Sequence, residues 1–178
     1  MRPNEKGFAL VELAVGVAIV ALIGSATATA IFQVITVSER SDDHMTAVQQ
    51  VQNAGYWVSH DAQIAEGIFT DDLGSPNFLV LTWTEHDYSG GDSTYHSVTY
   101  FFDDLSSGVG ELKRNHWSSA GADQNTLIAK YIYYDPADPD STSKASYQSP
   151  VLTVKLTTLS GEVSESREYR VVHRPNFN

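Results

Sequence analysis

The spacing of hydrophobic positions along the chain changes near residue 67. No charged side chain occurs from residue 13 to residue 38, and residues 8–11 are apolar as well. As a helix, residues 13–38 would extend about 39 Å at about 1.5 Å per residue, which is enough to cross a hydrocarbon core of about 30 Å. The pattern therefore predicts a membrane-spanning helix near the N-terminal end.

Helical spacing continues beyond this apolar run. Small or apolar residues recur at intervals of 3 and 4 positions: Val48, Val51, Gly55, Val58, Ala62 and Ala65. Such a seam is typical of an amphipathic helix, and we expect it to be widened by Trp57, Ile64 and Ile68. The polar side is expected to face water through Gln49, Gln50, Asn53 and His60. The pattern predicts one nearly continuous helix from about Phe8 to Glu66, with two helices separated near residues 38–43 as the alternative.

After residue 67 the apolar positions alternate with a period of two. Segments rich in β-branched and aromatic residues are predicted as strands at 78–84, 95–103, 110–115, 126–134, 151–159 and 165–174. Turn clusters separate them, and no connector is long enough for a crossover helix, so antiparallel pairing is expected. The sequence thus predicts an α+β fold, with a long N-terminal helix (a membrane half and an amphipathic half) packed on an antiparallel β-sheet.

Composition and charge exclude several classes of function. The chain has 178 residues, a formal net charge of −11 and no cysteine. This length accommodates one soluble domain in addition to the N-terminal segment. No basic stripe is present that could neutralise phosphates, which argues against nucleic-acid binding. The lack of cysteine excludes disulfides, thiolate metal sites and thiol catalysis.

One carboxylate, Glu12, lies at the start of the apolar run. A charged side chain inside a membrane helix costs about 2.5–3.5 kcal/mol on insertion scales, so we expect it to have a partner or a function. The short segment before it carries Arg2 and Lys6 against Glu5. Together with the α-amino group these residues make the N-terminus positive, which favours its retention in the cytoplasm.

The junction Gly7-Phe8-Ala9-Leu10-Val11-Glu12 has the form G|FxxxE of class III signal peptides. Over about residues 1–35 the chain resembles the type IV pilin superfamily, which includes pilins, minor pilins and the pseudopilins of type II secretion. The resemblance implies that prepilin peptidase cleaves after Gly7 and N-methylates Phe8. It also implies that Glu12 is a counter-charge for the new amine, its own or a neighbour's, and therefore an assembly residue in a filament of pilin or pseudopilin subunits.

Beyond residue 35 the resemblance is looser. The segment at 52–67 is similar to the helix of J-type minor pseudopilins, whereas Thr29 stands where many major pilins have proline, and the C-terminal disulfide loop of major pilins is absent. These features favour a minor component. The implied division is a leader at 1–7, a transmembrane and assembly helix at 8–35 and a soluble pilin-like domain at 36–178. The implied location is the cell membrane, with a cytoplasmic N-terminus, and then an extracytoplasmic filament.

Two other interpretations of the N-terminal segment remain open. An ordinary secretory signal would be cut after Ala30, and an uncleaved anchor would tether a binding domain to the membrane. Both leave Glu12 without a function. A third possibility within the pilin family is an adhesin-like tip subunit, whose β-domain would bind a surface or DNA.

The sequence contains no motif that predicts an enzyme. None of the six histidines forms HExxH, and GxSxG, P-loop and dinucleotide motifs are absent, so we expect no catalytic residues and no cofactor. The histidines are interpreted as single surface or strand residues. A weak calcium hypothesis concerns the acidic loop with Asp135, Asp138 and Asp140, and a weaker one concerns Glu85, Asp87 and Asp92, because calcium takes several oxygen ligands.

Overall fold

The computed structural model describes residues 5–71, 73–74, 76–87, 91–138 and 141–173, with only the backbone for residues 5–9 and 122. It divides into two compact units, Met1–Asp42 and Asp43–Asn178. Helix α1 (Glu5–Ile64) crosses this boundary without interruption, as predicted. At its end, the Ala65 N–H still donates to the Asp61 carbonyl, but the Glu66 N–H donates to the Thr82 carbonyl at 2.7 Å, so the chain leaves the helix there and joins the sheet.

The amphipathic part of α1 buries the predicted seam with a small shift. The fully or nearly fully buried apolar residues are Ala47, Val51, Ala54, Val58, Ala62 and Ala65. Val48 is only half-buried, and Trp57 is half-buried against the core. The expectation that Ile64 widens the seam is wrong, because Ile64 is 46% exposed.

Eight strands form an antiparallel sheet in the described part of the chain. They are β1 (Gly67–Phe69), β2 (Asn77–Glu85), β3 (Thr94–Ser106), β4 (Val109–Ser118), β5 (Gly121–Tyr133), β6 (Lys144–Gln148), β7 (Val151–Ser160) and β8 (Val163–Val172). Their order is β1-β2-β3-β4-β5-β7-β6, and β8 pairs with β7 as well. The predicted α+β fold with antiparallel pairing is confirmed.

Two of these strands are absent from the sequence prediction. The three residues of β1 are too few to show an alternating pattern. Strand β6 follows a stretch rich in Asp, Pro and Ser, and its five residues are too few for their alternation to stand out, although Ala145 and Tyr147 are half-buried on alternate positions. Strand β5 also begins at Gly121 rather than residue 126, directly after a short turn.

Side chains of α1 complete the hydrogen bonding of β5. This strand pairs with β7 only through Ile132 and Thr158, and Tyr131 next to that pair has a φ of 59°. Gln50 Oε1 accepts the Lys130 N–H at 2.8 Å, and Asn53 Nδ2 donates to the Ile128 carbonyl. The two amides thus supply bonds that a neighbouring strand would otherwise make. Gln50 and Asn53, which are expected to face water, therefore also contact the sheet, and Asn53 stays exposed.

Candidate functional site

The first unit, Met1–Asp42, has an apolar surface that no other residue of this unit covers. Every side chain from residue 10 to residue 42 is exposed, including Leu10 at 70% and Phe32 at 75%. By length and composition, this helix could cross a membrane. An apolar surface of this extent is larger than soluble monomers usually leave in water, and it is typical of a segment that lipid or other helices cover.

Four hydroxyl groups inside this apolar segment are satisfied by the helix itself. Each donates to a backbone carbonyl three or four residues earlier, at 2.8–3.0 Å: Ser25, Thr27, Thr29 and Thr36. A hydroxyl that bonds within its own helix needs no water, and this reduces the free-energy cost of placing it in hydrocarbon. The small, mildly apolar section at 25–30 is therefore compatible with a membrane environment.

Glu12 is an exposed carboxylate on this apolar surface. It lines a shallow groove with Leu13, Gly16, Val17 and Val20, and nothing lies within 4 Å of the position that a Cβ of Gly16 would take. Among the described residues, none forms a hydrogen bond or ion pair with the Glu12 side chain. The side chain of Phe8 lies outside the described part, so cleavage after Gly7 and methylation of Phe8 stay predictions.

A buried ion pair joins the helix to the sheet in the second unit. Asp61, which is 1% exposed, accepts from Arg114 Nε at 2.7 Å and from the Tyr100 hydroxyl at 2.6 Å. The Arg114 guanidinium also lies 5.4 Å from the ring centroid of Trp57. Burial, reinforced by the Asp61 charge, raises the pKa of Tyr100. Burial by itself would lower the pKa of Arg114, but the hydrogen bonds and charge of Asp61 offset it and raise this pKa.

Sequence reasoning missed this ion pair, although one signal was present. Asp61 occupies a position in the buried stripe between Val58 and Ala65, where an unpaired carboxylate would be costly. A charged residue at a seam position predicts a cationic partner on the opposing surface. Which of the basic residues supplies it could not be read from the chain, because the register of β4 decides that Arg114 faces the helix.

Two of the six histidines also form a cluster, contrary to the expectation that they are single residues. His96 Nδ1 lies 3.1 Å from His116 Nε2, and His96 Nε2 lies 3.2 Å from a Glu85 carboxylate oxygen. Trp83 stacks on both imidazoles. The strand register brings the two histidines together. His116 on β4 pairs with Val98 on β3, and His96 lies two residues before Val98 on the same face of the sheet, so it is the diagonal neighbour of His116.

In the acidic loop of the calcium hypothesis, Asp135 and Asp138 accept hydrogen bonds from backbone N–H groups of the same loop. Asp135 Oδ1 accepts from the Ala137 N–H at 2.8 Å and Asp138 Oδ1 accepts from the Ser141 N–H at 3.4 Å, as in side-chain-stabilised turns. Asp140 lies outside the described residues. Within the described part of the chain, no group of three His, Asp or Glu side chains is arranged to hold a metal ion. Calcium binding at Asp135, Asp138 and Asp140 stays a prediction.

Comparison with known proteins yields no match to a family model, a curated protein or a solved structure. The resemblance to the type IV pilin superfamily therefore depends on the N-terminal motif. At a coarser level, the structure has the layout that the resemblance implies: one long N-terminal helix, apolar in its first part and packed on an antiparallel sheet in its second.

Proposed function

We propose that this protein is a pilin-like structural subunit, a minor pilin or pseudopilin, that assembles into a type IV pilus or a type II secretion pseudopilus. In this proposal prepilin peptidase cleaves between Gly7 and Phe8, and the mature chain begins with an N-methylated Phe8. The protein has no catalytic activity and needs no cofactor. Its partners are the peptidase, the membrane lipids around residues 8–35, and the other pilin or pseudopilin subunits of the filament.

The observation that carries the proposal is the position of Glu12. Its exposed carboxylate lies on a helix segment whose apolar side chains are all uncovered. A membrane anchor gains nothing from a charge at this position, since the charge only makes insertion less favourable. A subunit that must pair with an identical or similar helix gains a specific contact from it.

The contact that we propose joins Glu12 to the amine of Phe8, either in the same subunit or in the neighbouring one. Cleavage after Gly7 creates this cationic amine one helical turn before the carboxylate. In hydrocarbon the two charges attract strongly because little water screens them, and pairing offsets much of the desolvation cost of each. On an otherwise uniform apolar surface, such a pair would set the axial register between adjacent helices.

Before assembly, the subunit would cross the membrane once with its N-terminus in the cytoplasm, and after assembly its sheet domain would lie outside the cytoplasm. The positive residues Arg2 and Lys6 favour this orientation. Cleavage at Gly7 would remove them together with the leader, so the Phe8 amine would then be the cation nearest to Glu12.

The test separates processing from assembly. Glu12→Gln keeps the shape of the side chain and removes its charge, so we expect normal processing and reduced incorporation into filaments. Gly7→Val should block processing first. Glu39→Gln is the matched control, because it removes an exposed carboxylate from the same helix at the far end of the apolar run. Each variant is expressed with its native partners, and the processed fraction is measured by intact mass separately from filament content.

Two results would contradict the proposal. A mature N-terminus at Ile31 would identify an ordinary secretory signal and support a secreted binding domain instead. Normal incorporation of Glu12→Gln would mean that the carboxylate is not needed between neighbours in the shaft. In that case a tip subunit, which has no neighbour above it, becomes the alternative to test by localising the protein along the filament.

A further inference from the structure

Glu85, His96 and His116 form a cluster in which two imidazole nitrogens face each other. The imidazoles of His96 and His116 lie edge to edge, with ring centroids 5.3 Å apart, an interplanar angle of 21° and facing nitrogens 3.1 Å apart. If an ion lay about 2.0–2.1 Å from both nitrogens, the N–metal–N angle would be about 100°. This value lies between the angles of adjacent ligands in tetragonal and in tetrahedral coordination. Each ring would have to rotate so that its lone pair points at the shared ion.

We propose that His96 Nδ1 and His116 Nε2 bind one late divalent transition-metal ion, with Cu²⁺ preferred over Zn²⁺. Imidazole nitrogens suit both ions, and affinity at such sites generally rises from nickel to copper and falls again at zinc. No third protein ligand is arranged at the cluster within the described residues. Water completes the coordination, so the site is open to an external ligand.

Glu85 determines which nitrogen of His96 is available. Its carboxylate lies 3.2 Å from His96 Nε2 and can only accept, so Nε2 carries the proton and Nδ1 presents its lone pair. A carboxylate on the far nitrogen is the usual support of a metal-binding histidine, because it holds the ring in place and makes it more basic. Without metal, the N–H at His116 Nε2 donates to His96 Nδ1. When the metal binds, His116 Nε2 releases this proton to solvent, and His116 Nδ1 takes up a proton from solvent.

Trp83 keeps both imidazoles in nearly one plane. Its ring stacks on His96 at 5.1 Å with an interplanar angle of 10°, and on His116 at 5.7 Å with an angle of 16°. The His96 side chain is only 13% exposed. Because packing already restricts the orientations of the two rings, they lose less rotational freedom when a metal binds, although each must first turn toward the shared ion.

The charges around the cluster act in both directions. The Arg114 guanidinium disfavours a positive charge on His116, whereas the Asp61 carboxylate, which accepts hydrogen bonds from Arg114, favours one and offsets part of this effect. Glu85 adds a negative charge on the other side of the cluster. The net charge of the whole chain, −11, also favours the approach of cations.

The experiment titrates the full-length protein, without a histidine tag and in detergent micelles, with Cu²⁺ against a glycine competitor that occupies weak sites. Quenching of tryptophan fluorescence and Cu²⁺ electron paramagnetic resonance report binding near Trp83 and the number of coordinating nitrogens. His96→Gln and His116→Gln should each weaken Cu²⁺ binding at least tenfold. Glu85→Gln should weaken it about 10- to 100-fold, as expected for loss of a supporting carboxylate.

The matched control is His44→Gln, which removes an exposed imidazole from α1 and should leave Cu²⁺ affinity unchanged. Equal binding by the wild type and His96→Gln, or equal loss in His44→Gln, would show adventitious binding by surface histidines and overturn the proposal. If the His→Gln variants fail to unfold cooperatively without metal, Glu85→Gln decides, since both imidazoles remain in it. Unchanged affinity in that variant would also overturn the proposal, as would tighter binding of Zn²⁺ than of Cu²⁺.

Discussion

Arg114 on strand β4 forms a two-point ion pair with Asp61 on helix α1, with Nε 2.7 Å from Oδ2 and Nη2 3.3 Å from Oδ1. The Asp61 side chain is 2% exposed and that of Arg114 is 12% exposed. Tyr100 donates a third hydrogen bond to the carboxylate. The pair therefore fixes the rotation of the helix over the sheet through charges that are almost completely removed from water.

Replacing Asp61 alone should lower the free energy of unfolding far more than replacing Asp61, Tyr100 and Arg114 together by apolar residues. Asp61→Ala leaves the guanidinium and the Tyr100 hydroxyl without their acceptor, and we expect the free energy of unfolding to fall by about 3–5 kcal/mol. The triple change Asp61→Leu, Tyr100→Phe, Arg114→Met should recover most of this loss. Urea denaturation of the full-length protein in micelles measures both effects.

An exposed ion pair provides the control for this prediction. Arg170 and Glu168 lie 2.8 Å apart, but their side chains are 72% and 48% exposed. Glu168→Ala should change stability by less than about 1 kcal/mol, because water screens such pairs. A loss as large as that of Asp61→Ala would mean that burial is not what makes the Asp61 pair important.

Val58 tests whether the seam of α1 forms the core of the second unit. Its side chain is fully buried, so Val58→Asp places an unpaired carboxylate among apolar residues at a cost of several kcal/mol. We expect the cooperative thermal transition to be lost. Gln52→Asp introduces the same charge on the exposed side of the helix and should have little effect. An unchanged melting temperature for Val58→Asp would show that the seam is wrongly assigned.

Gly55 is required by the Tyr169 ring of β8, because a Cβ at residue 55 would overlap that ring. The Tyr169 hydroxyl also donates to the Val51 carbonyl at 3.1 Å and so holds the ring against the helix. Gly55→Ala should lower the melting temperature by several degrees, although alanine is favoured over glycine in a helix by about 0.8–1.0 kcal/mol.

The sign of the Gly55 effect should reverse when the ring is removed. In a Tyr169→Ala background, Gly55→Ala meets no overlap and should stabilise the protein through its helix propensity. Differential scanning calorimetry of the four proteins gives the coupling between the two positions. If Gly55→Ala destabilised the wild type and the Tyr169→Ala variant equally, the Tyr169 ring would not be the reason that residue 55 is glycine.

His116 should make stability depend on pH. Burial, followed by the charges of Arg114 and His96, lowers the pKa of His116 below its ordinary 6.5. The unfolded chain then binds a proton that the folded chain does not, so the contribution of His116 is fully present above pH 6.5 and is lost as the pH falls through the folded pKa. Melting temperatures measured with a metal chelator from pH 7.5 to 5 should therefore fall, and His116→Gln should reduce the slope. Equal slopes for His116→Gln and wild type would contradict this assignment. His44→Gln, on the exposed side of α1, serves as the control.

The elements that depend on local pattern could be predicted from the sequence. The apolar run at 13–38 and the apolar spacing of 3 and 4 positions after it predict a helix from about Phe8 to Glu66, and the structure has it at Glu5–Ile64. A spacing of 2 positions predicts the six longer strands, because it places one face of each strand on the core. The apolar run and Glu12 are equally local, since charge and hydropathy are properties of the residues themselves. Strand β1 was too short and β6 too polar to produce such a pattern.

Only the tertiary structure decided which distant residues meet. Asp61 and Arg114 are 53 positions apart and His96 and His116 are 20 apart, and the strand register, which depends on packing of the whole sheet, brings each pair together. The same holds for Gln50 and Asn53, whose amides bond to β5 because that strand pairs with β7 at a single position. A local pattern specifies which face a side chain occupies, whereas the partner on the opposing face is set by contacts between residues far apart in the chain.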